Sequence, residues 1–426
     1  MHYDIVIVGG GAGGLELAAS LGRSLGRHSG QEKVLLIDRA SFHIWKPTLH
    51  EVAAGTLDAH QEGLSYTTLA RRNHFSFTLG ELGGLDPQKR QITLAPVLDI
   101  QGQVLVPERH ISYRWLVLAI GSGSNFFGTP GAEHAYVLEQ TLDAERFHQR
   151  LLTAFVRTAF SDSKLLSLAI VGAGATGVEL SAELIEAHQE LTEGLSKEQR
   201  FRLDITIVEA APRILAGLPE KISHQAQVAL QRKQVKVLTS TRVQAIEADA
   251  LVTDQGRIPA DLIVWAAGIK AADSNERLGL TTNRSHQFVV DAQLRTSAEG
   301  IYAMGDCAAC EWESGRLVPA RAQAAHQQAS YLKQVLLGLL KERPVSAPFQ
   351  YRDFGSLVSL GENKGVGNLM GGLSGRNFFV EGLIAKWMYM SLHLNHHRAI
   401  IGTIDTMVLA LVRLLQRRVS GRLKLH

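Results

Sequence analysis

The sequence predicts an α/β protein with two similar halves, because one pattern occurs twice in its 426 residues. A β-branched segment, YDIVIV or LSLAIV, leads into a G-x-G-x-x-G run, and an Ala/Leu/Glu-rich segment with helical periodicity follows. The runs consist of Gly9, Gly11 and Gly14 in the first half and Gly172, Gly174 and Gly177 in the second. Strand, glycine turn and helix in this order are typical of a Rossmann-like dinucleotide-binding unit. We therefore expect two tandem Rossmann-like domains, followed by a C-terminal region.

The glycine spacing has a physical reason in both copies. The first glycine permits a tight turn, the second lets the backbone approach a pyrophosphate, and the third lets the helix pack against the strand. The N-terminus of the helix then presents unpaired N–H groups to the phosphates. The two runs predict two bound dinucleotides, and the alternative is two structural turns without ligands.

Each half continues with a hydrophobic segment that ends in a carboxylate, Asp38 in KVLLIDR and Glu209 in ITIVEA. A carboxylate at this position accepts hydrogen bonds from ribose hydroxyls and repels a 2′-phosphate. Glu209 therefore favours NADH over NADPH, although the nearby Arg213 can soften the repulsion.

Both halves also close on a buried strand that ends in glycine, LVLAIG at Gly121 and LIVWAAG at Gly268. The similarity of these two strand ends indicates that a segment of domain size is repeated. A linker-like GTPG segment at 128–131 separates the halves, and IYAMGDCA later returns to a short strand followed by a turn.

Composition is that of an ordinary globular protein. The chain enters its first strand at Tyr3, which leaves no room for a signal peptide, and two cysteines fit a reducing compartment, so we expect a cytoplasmic protein. No apolar segment reaches the roughly 18 residues that span a bilayer. Charged residues interrupt the best segment, at Asp405, Arg413, Arg417 and Arg418.

The C-terminal region is the basic part of the chain. Residues 380–426 carry seven basic and two acidic side chains, whereas the whole chain has a net charge of +3. On a helix, the apolar Met407, Leu411, Leu414 and Leu415 share a face, while Arg413, Arg417 and Arg418 lie elsewhere and Arg422 and Lys424 follow. This pattern, with the interfacial residue types Lys386, Trp387 and Tyr389, predicts docking to an anionic membrane surface. The alternative is docking to a partner subunit.

Several segments along the chain resemble the type II NADH dehydrogenases, a group of two-dinucleotide flavoproteins among the pyridine-nucleotide oxidoreductases. They are WKPTLHEVAAG at 45–55, VEAAPRILAGLP at 208–219, VWAAGIKA at 264–271, YAMGDCA at 302–308, RAQAAHQ at 321–327 and the closing GRLKLH.

The resemblance implies a domain for each cofactor and a membrane-docking region. Non-covalent FAD would occupy residues 1–128 and 291–345, NADH would occupy 129–290, and 346–426 would meet the membrane. It also implies a membrane quinone as acceptor, a homodimer, no nucleic-acid partner and a peripheral position on the cytoplasmic face of the bacterial inner membrane. The enzyme would move two electrons without pumping protons.

The resemblance also assigns site residues. Asp306 would bind FAD, where the alternative is an aspartate that stabilises its own turn. Glu179 would lie near the contact of nicotinamide and flavin, although the helix dipole stabilises any carboxylate in a first turn. Gln323 and Gln327 share a helix face and would hydrogen-bond quinone oxygens, whereas most helical glutamines are simply solvated. Trp45 and Lys46 are candidates for shaping the flavin pocket.

No cysteine precedes Cys307, so the redox cysteine pair of the disulfide reductases is missing and electrons must leave the flavin directly. We interpret Cys307 and Cys310 as buried and unreactive, because two thiols supply half of a zinc site. His393, His396 and His397 are interpreted as interfacial or surface histidines, so no metal site is predicted.

Two other functions remain open. One is a soluble NAD(P)H-dependent reductase of ferredoxin or another protein, and the other is an NADH-binding protein in which the flavin is structural.

Overall fold

The computed structural model describes residues 1–99, 101–313, 315–361, 365–370 and 377–419. Its α-helices are α1 (Ala12–Leu25), α2 (Arg27–Lys33), α3 (Leu49–Ala54), α4 (Ala59–Glu62), α5 (Tyr66–Asn73), α6 (Thr141–Ala159), α7 (Ala175–Gly194), α8 (Glu220–Arg232), α9 (Ala322–Leu340), α10 (Gly382–Ile401) and α11 (Thr403–Val419). Short 3-10 helices lie at Lys46–Thr48, Ala132–His134, Lys197–Gln199, Asp273–Leu278 and Gly305–Cys307.

The sheet of the first half is mixed. Its strands, in spatial order, are Ser76–Leu79, Val34–Asp38, His2–Val8, Arg109–Leu118, Gln91–Leu94 and Leu82–Asp86, with Ile301–Ala303 also paired to Arg109–Leu118. The strand His2–Val8 pairs in parallel with both of its neighbours, and Ile5, Val6 and Ile7 are completely buried. Such apolar runs are expected of parallel strands covered on both faces. Because Ile301–Ala303 pairs with this sheet, the chain returns to the first half after it has formed the second.

The sheet of the second half is parallel, in the order Lys236–Leu238, Arg202–Val208, Leu165–Val171 and Leu262–Trp265. A three-stranded antiparallel sheet accompanies it, formed by Val243–Glu247, Ala250–Thr253 and Gly256–Pro259. Strand, glycine turn and helix follow one another in both halves, so the predicted α/β class with two tandem Rossmann-like units is confirmed. The predicted domain boundaries stay a prediction.

Short strand pairs complete the two halves. They are Phe42–His43 with Leu64–Ser65, Val97–Leu98 with Val104–Val106, Gly123–Ser124 with Ile269–Lys270, Phe288–Val289 with Ala308–Ala309, and Glu311–Glu313 with Arg316–Leu317. The pair Gly123–Ser124 and Ile269–Lys270 joins the two halves, because each segment follows the glycine that ends one of the echoing strands. These glycines, Gly121 and Gly268, have φ of +71° and +70°, a conformation that favours glycine.

The C-terminal region consists of an antiparallel sheet, Gly355–Ser359, Gly365–Met370 and Asn377–Glu381, followed by α10 and α11. The end of α10 is attached to the first half: Asn73 Nδ2 donates to the Ile400 carbonyl at 2.9 Å, and Arg23 donates to the Ala399 carbonyl at 2.7 Å. Within the described residues, no helix combines the length and hydropathy that crossing a bilayer requires.

Helix α11 presents an apolar face outward. Ile404, Met407, Val408, Leu411 and Leu415 are all exposed, at positions that repeat every three or four residues. On the inner side Asp405 pairs with Arg72, and Arg413 pairs with Glu62. The side chains of Lys386, Trp387, Leu414, Arg417 and Arg418, and all of Arg422 and Lys424, lie outside the described part of the chain.

Candidate functional site

The two glycine turns have the same geometry. Gly9 and Gly172, the first glycines, have φ of +105° and +101°, and a Cβ on either would enter the neighbouring backbone. A Cβ on the second glycines, Gly11 and Gly174, meets nothing within 4 Å. The third glycines, Gly14 and Gly177, pack against the carbonyls of Gly9 and Gly172. The open side of each turn, at the N-terminus of α1 or α7, fits the pyrophosphate of a dinucleotide.

The carboxylates that follow each turn hold the turn itself. Asp38 accepts from the Gly10 and Ala40 N–H groups at 2.6 and 2.8 Å. Glu209 accepts from the Ala173 and Ala211 N–H groups at 2.7 and 2.8 Å. A carboxylate oxygen has two lone pairs, so acceptor capacity for ribose hydroxyls remains. The binding of ribose by Asp38 and Glu209 stays a prediction.

Arg213 uses its guanidinium to hold its own loop. It donates to the carbonyls of Ala216 and Leu218 at 2.7 and 2.8 Å. In this position its hydrogen bonds are directed at the loop and not at a 2′-phosphate.

Asp306 lies beside Gly121 and bonds to residues outside its own turn. Ser122 Oγ donates to Asp306 at 2.9 Å, and Lys46 Nζ donates to the Ser122 carbonyl at 3.1 Å. The loop of Lys46, the loop after Gly121 and the Gly305–Asp306 turn thus meet where the first half faces the second. The role of Asp306 toward FAD stays a prediction.

Glu179 lies in the first turns of α7 and is 7% exposed. The Ser359 N–H donates to it at 3.0 Å, and His50 Nδ1 lies 3.7 Å from its other oxygen. Burial raises the pKa of Glu179 to about 7, although His50 and the Ser359 N–H act in the opposite direction. Glu179 can therefore hold or release a proton at neutral pH, which a solvated first-turn carboxylate cannot.

Gln323 and Gln327 lie on one face of α9, as expected. The Gln323 amide donates to the Gly355 carbonyl at 3.0 Å and accepts from the Phe354 N–H at 3.2 Å. The Gln327 amide makes both bonds to the Arg352 backbone, at 2.9 and 3.0 Å. These glutamines hold the segment 352–355 and are not simply solvated. Their contact with a quinone stays a prediction.

The strand Gly355–Ser359 connects the two sets of predicted catalytic residues. Its first residue accepts from Gln323, and the N–H of its last residue donates to Glu179. At about 3.3 Å per residue the strand separates these contacts by about 13 Å.

Trp45 is buried and stacks on the α10 histidines, with ring centroids 4.9 Å from His393 and 6.3 Å from His396. His396 and His397 are 5% and 3% exposed, so neither lies at the surface, which was one of the two predicted positions. The sequence pattern missed that α10 packs against α1. No group of histidine, cysteine or acidic residues in the described ranges is arranged to hold a metal ion.

The structure adds Glu16, which the sequence analysis overlooked. This carboxylate is 6% exposed and accepts from His326 and, at 2.6 Å, from His396. Glu16 comes two residues after Gly14, as Glu179 comes two residues after Gly177. The internal repeat was the signal that could have found it.

Cys307 and Cys310 are buried free thiols. Burial raises the pKa of each to about 11, so both are protonated at neutral pH. The interpretation of two unreactive thiols agrees with this burial.

Comparison with known proteins agrees with the two-turn architecture. Residues 3–329 match the family model described as pyridine nucleotide-disulphide oxidoreductase. The chain is 40% identical to a type II NADH:quinone oxidoreductase from Haemophilus influenzae, over 99% of this chain and 100% of the relative. It is 30% identical to a demethylphylloquinone reductase from Synechocystis, over 85% of each chain.

Among solved structures, NDH2 from Plasmodium falciparum in complex with NADH superimposes with a TM-score of 0.81, over 99% of both chains, at 18% identity. The sulfide:quinone oxidoreductase of Aquifex aeolicus has a TM-score of 0.73, over 98% of this chain and 95% of its own, at 15% identity. At these identities the likeness concerns the fold. Together with the full-length match at 40% identity, the findings show that the chain belongs to the pyridine nucleotide-disulphide oxidoreductases and, within them, to the type II NADH:quinone oxidoreductases.

Proposed function

We propose that this chain oxidises NADH and passes two electrons, by way of FAD, to a quinone dissolved in a membrane. The observation that carries the proposal is the full-length match to a relative of that name, at 40% identity, by a chain whose two glycine turns are both open to a pyrophosphate. FAD, when bound, supplies the acceptance of a hydride and the delivery of electrons.

The residues of the chain bind and orient. The turn at Gly9–Gly14, with Asp38 and Asp306, would hold FAD, and the turn at Gly172–Gly177, with Glu209, would hold NADH. The strand pair Gly123–Ser124 and Ile269–Lys270 fixes the ends of the two halves relative to each other, so that the two ring systems can meet.

Glu179 would donate a proton to the quinone as the quinone is reduced. NADH carries one hydride, whereas a quinone that becomes a quinol takes up two electrons and two protons, so one proton comes from water. A buried carboxyl whose pKa is about 7 suits that transfer at neutral pH. Gln323 and Gln327 would position the quinone, directly or through segment 352–355.

Helix α11 would dock at the membrane surface. Its exposed apolar face includes Met407, Leu411 and Leu415, and the surrounding tail is basic. We assign the docking to anionic lipids on the cytoplasmic face, and a homodimer is part of the same proposal.

The test mixes purified protein with NADH without oxygen, follows the flavin absorbance, and then adds a short-chain quinone in detergent. Bleaching by NADH and recovery with quinone are expected. Bleaching without recovery would indicate a protein acceptor such as ferredoxin, and flavin that NADH does not bleach would contradict the enzymatic function.

A further inference from the structure

A hydrogen-bonded string of three buried side chains, Glu16, His396 and His43, leads from α1 to the Gly9–Gly14 turn. Glu16 accepts from His396 Nδ1 at 2.6 Å, His396 Nε2 lies 2.8 Å from His43 Nε2, and His43 Nδ1 lies 3.0 Å from the Gly10 carbonyl oxygen. All three residues are 6% exposed or less. The string therefore crosses from α1 to α10 and ends on the residue between Gly9 and Gly11.

The hydrogen-bond chemistry determines where the protons lie. A carbonyl oxygen only accepts, so His43 Nδ1 must carry its hydrogen and donate to Gly10. Burial, followed by the neighbouring His396, lowers the pKa of His43 well below its ordinary value, so this ring is neutral and its Nε2 accepts. His396 must therefore donate through Nε2.

At the Glu16 end of the string, the His396 ring must donate a second hydrogen bond. Burial opposes ionisation of Glu16, but hydrogen bonds from His326 and His396 outweigh it and lower the pKa of Glu16. The ionised carboxylate accepts from His396 Nδ1. His396 thus donates from both ring nitrogens, to Glu16 and to His43, and joins them into one directed string.

The Gly10 carbonyl belongs to the same peptide group as the Gly11 N–H, so a hydrogen bond that holds the carbonyl also orients the N–H. In a trans peptide the C=O and the following N–H point in opposite directions. His43 and the Tyr66 hydroxyl, at 2.7 Å, both donate to the Gly10 carbonyl from the protein side. The Gly11 N–H consequently points to the open side of the turn.

In the second half, the equivalent carbonyl is held by a backbone N–H group. Ala173 is the residue equivalent to Gly10, and its carbonyl accepts from the backbone N–H of Leu215 at 2.8 Å. That donor has no ionisable group. Only the first turn is held by a titratable string.

We propose that Glu16 is a positioning residue for FAD: through His396 and His43 it holds the Gly10 carbonyl, so that the Gly11 N–H faces the pyrophosphate. The inference rests on the proposed binding of FAD at the first turn. It assigns a role to His396, a buried histidine of α10, and it makes retention of FAD depend on Glu16 while binding of NADH does not.

Other charged and titratable groups surround the string. They are Arg23 from α1, Tyr66 from α5, His326 from α9, Asp38, and His393, His397 and Arg398 from α10. Glu16 raises the pKa of His326, which is 43% exposed and so connects the string to water. The lowered pKa of His43 keeps this ring neutral in mild acid, so the direction of the string is preserved there.

The test dilutes the holoenzyme at neutral pH and follows release of FAD by the rise in flavin fluorescence. For the wild-type protein we expect slow release. Glu16→Gln and His396→Gln should release FAD about tenfold faster, because a hydrogen bond to a charged group is lost. Their affinity for NADH should be unchanged.

Two further variants sharpen the test. Tyr66→Phe removes the other donor to the Gly10 carbonyl, so release should be faster in this variant as well. His397→Gln removes a buried histidine next to the string and should behave as wild type. Release rates of Glu16→Gln and His396→Gln equal to that of the wild type would overturn the proposal.

A general loss of structure predicts a different result. If Glu16→Gln lowers the melting temperature, the NADH affinity and the FAD retention together, the positioning role is wrong. Protein that binds no flavin, or flavin that NADH does not bleach, would instead contradict the proposed function.

Discussion

Glu16 and Glu179 occupy the same position in the two halves, two residues after the last glycine of each turn, yet they differ in charge. Hydrogen bonds from two histidines lower the pKa of Glu16, whereas burial raises the pKa of Glu179 to about 7. The repeated fold supplies two buried carboxylates, and their partners give one a fixed charge and the other an exchangeable proton. Glu16 suits positioning, and Glu179 suits proton transfer.

The first prediction concerns Glu179→Gln. Reoxidation of the flavin by quinone should slow about 100-fold, since general acid catalysis contributes at least that much when a positioned group is removed. In the wild-type protein the rate should fall as pH rises through about 7, because the fraction of protonated Glu179 falls. Stopped-flow measurement of the reoxidation step checks both points.

His50→Gln provides the control for this assignment. His50 lowers the pKa of Glu179, so its removal should move the midpoint of the pH profile upward. A midpoint that stays in place, or a Glu179→Gln protein with the wild-type profile, would show that another group titrates.

The second prediction concerns Glu209→Gln. Loss of the charge should raise the preference for NADPH relative to NADH about tenfold, because the repulsion of a 2′-phosphate by a nearby carboxylate disappears. The ratio of kcat/KM for the two nucleotides measures it. Asp38→Asn is the matched change in the first half and should leave this ratio unaltered. An unchanged ratio in Glu209→Gln would place the 2′-hydroxyl elsewhere.

Gln323→Ala and Gln327→Ala should separate the half-reactions. Reduction of the flavin by NADH should continue at the wild-type rate, while quinone reduction falls at least about tenfold, since both amides also hold segment 352–355. Gln334→Ala changes an exposed glutamine on the same helix and should have no effect. Full quinone turnover in both variants would exclude the two residues from the quinone site.

The membrane prediction concerns Leu411→Glu, which places a charge on the exposed apolar face of α11. The protein should sediment less with anionic vesicles, because each buried apolar side chain contributes about 1.5–3 kcal/mol to binding. Thr403→Glu, at the exposed start of the same helix, should bind as wild type. Equal binding of both variants would indicate that α11 meets a protein partner.

Cys307 and Cys310 should resist alkylation. With a pKa of about 11 each thiol is protonated at about pH 8, and both are buried. Iodoacetamide should label them only after denaturation, as mass spectrometry can show. Rapid labelling of the folded protein would reveal a reactive thiol.

The sequence allowed the repeated features to be predicted. Gly9 and Gly172, and likewise Gly121 and Gly268, required the same local geometry twice, and the structure has it. Local patterns determine such turns, because the nearest neighbours in the chain set their backbone angles.

Long-range partners could not be predicted. Glu16 meets His396 across 380 positions, and Gln323 bonds to a segment about thirty residues away. Periodicity gives the face of a helix but not the element that covers it. For that reason the burial of His396 and His397 could not be predicted.

The strand Gly355–Ser359 holds Gln323 at one end and Glu179 at the other. A substitution within this strand changes a single side chain. An inserted or deleted residue would instead shift one of the two contacts by one residue along the strand, and it would turn every following side chain to the opposite face. Among relatives, the length of this segment should therefore be invariant even where its composition drifts, so alignment gaps should collect on either side of it.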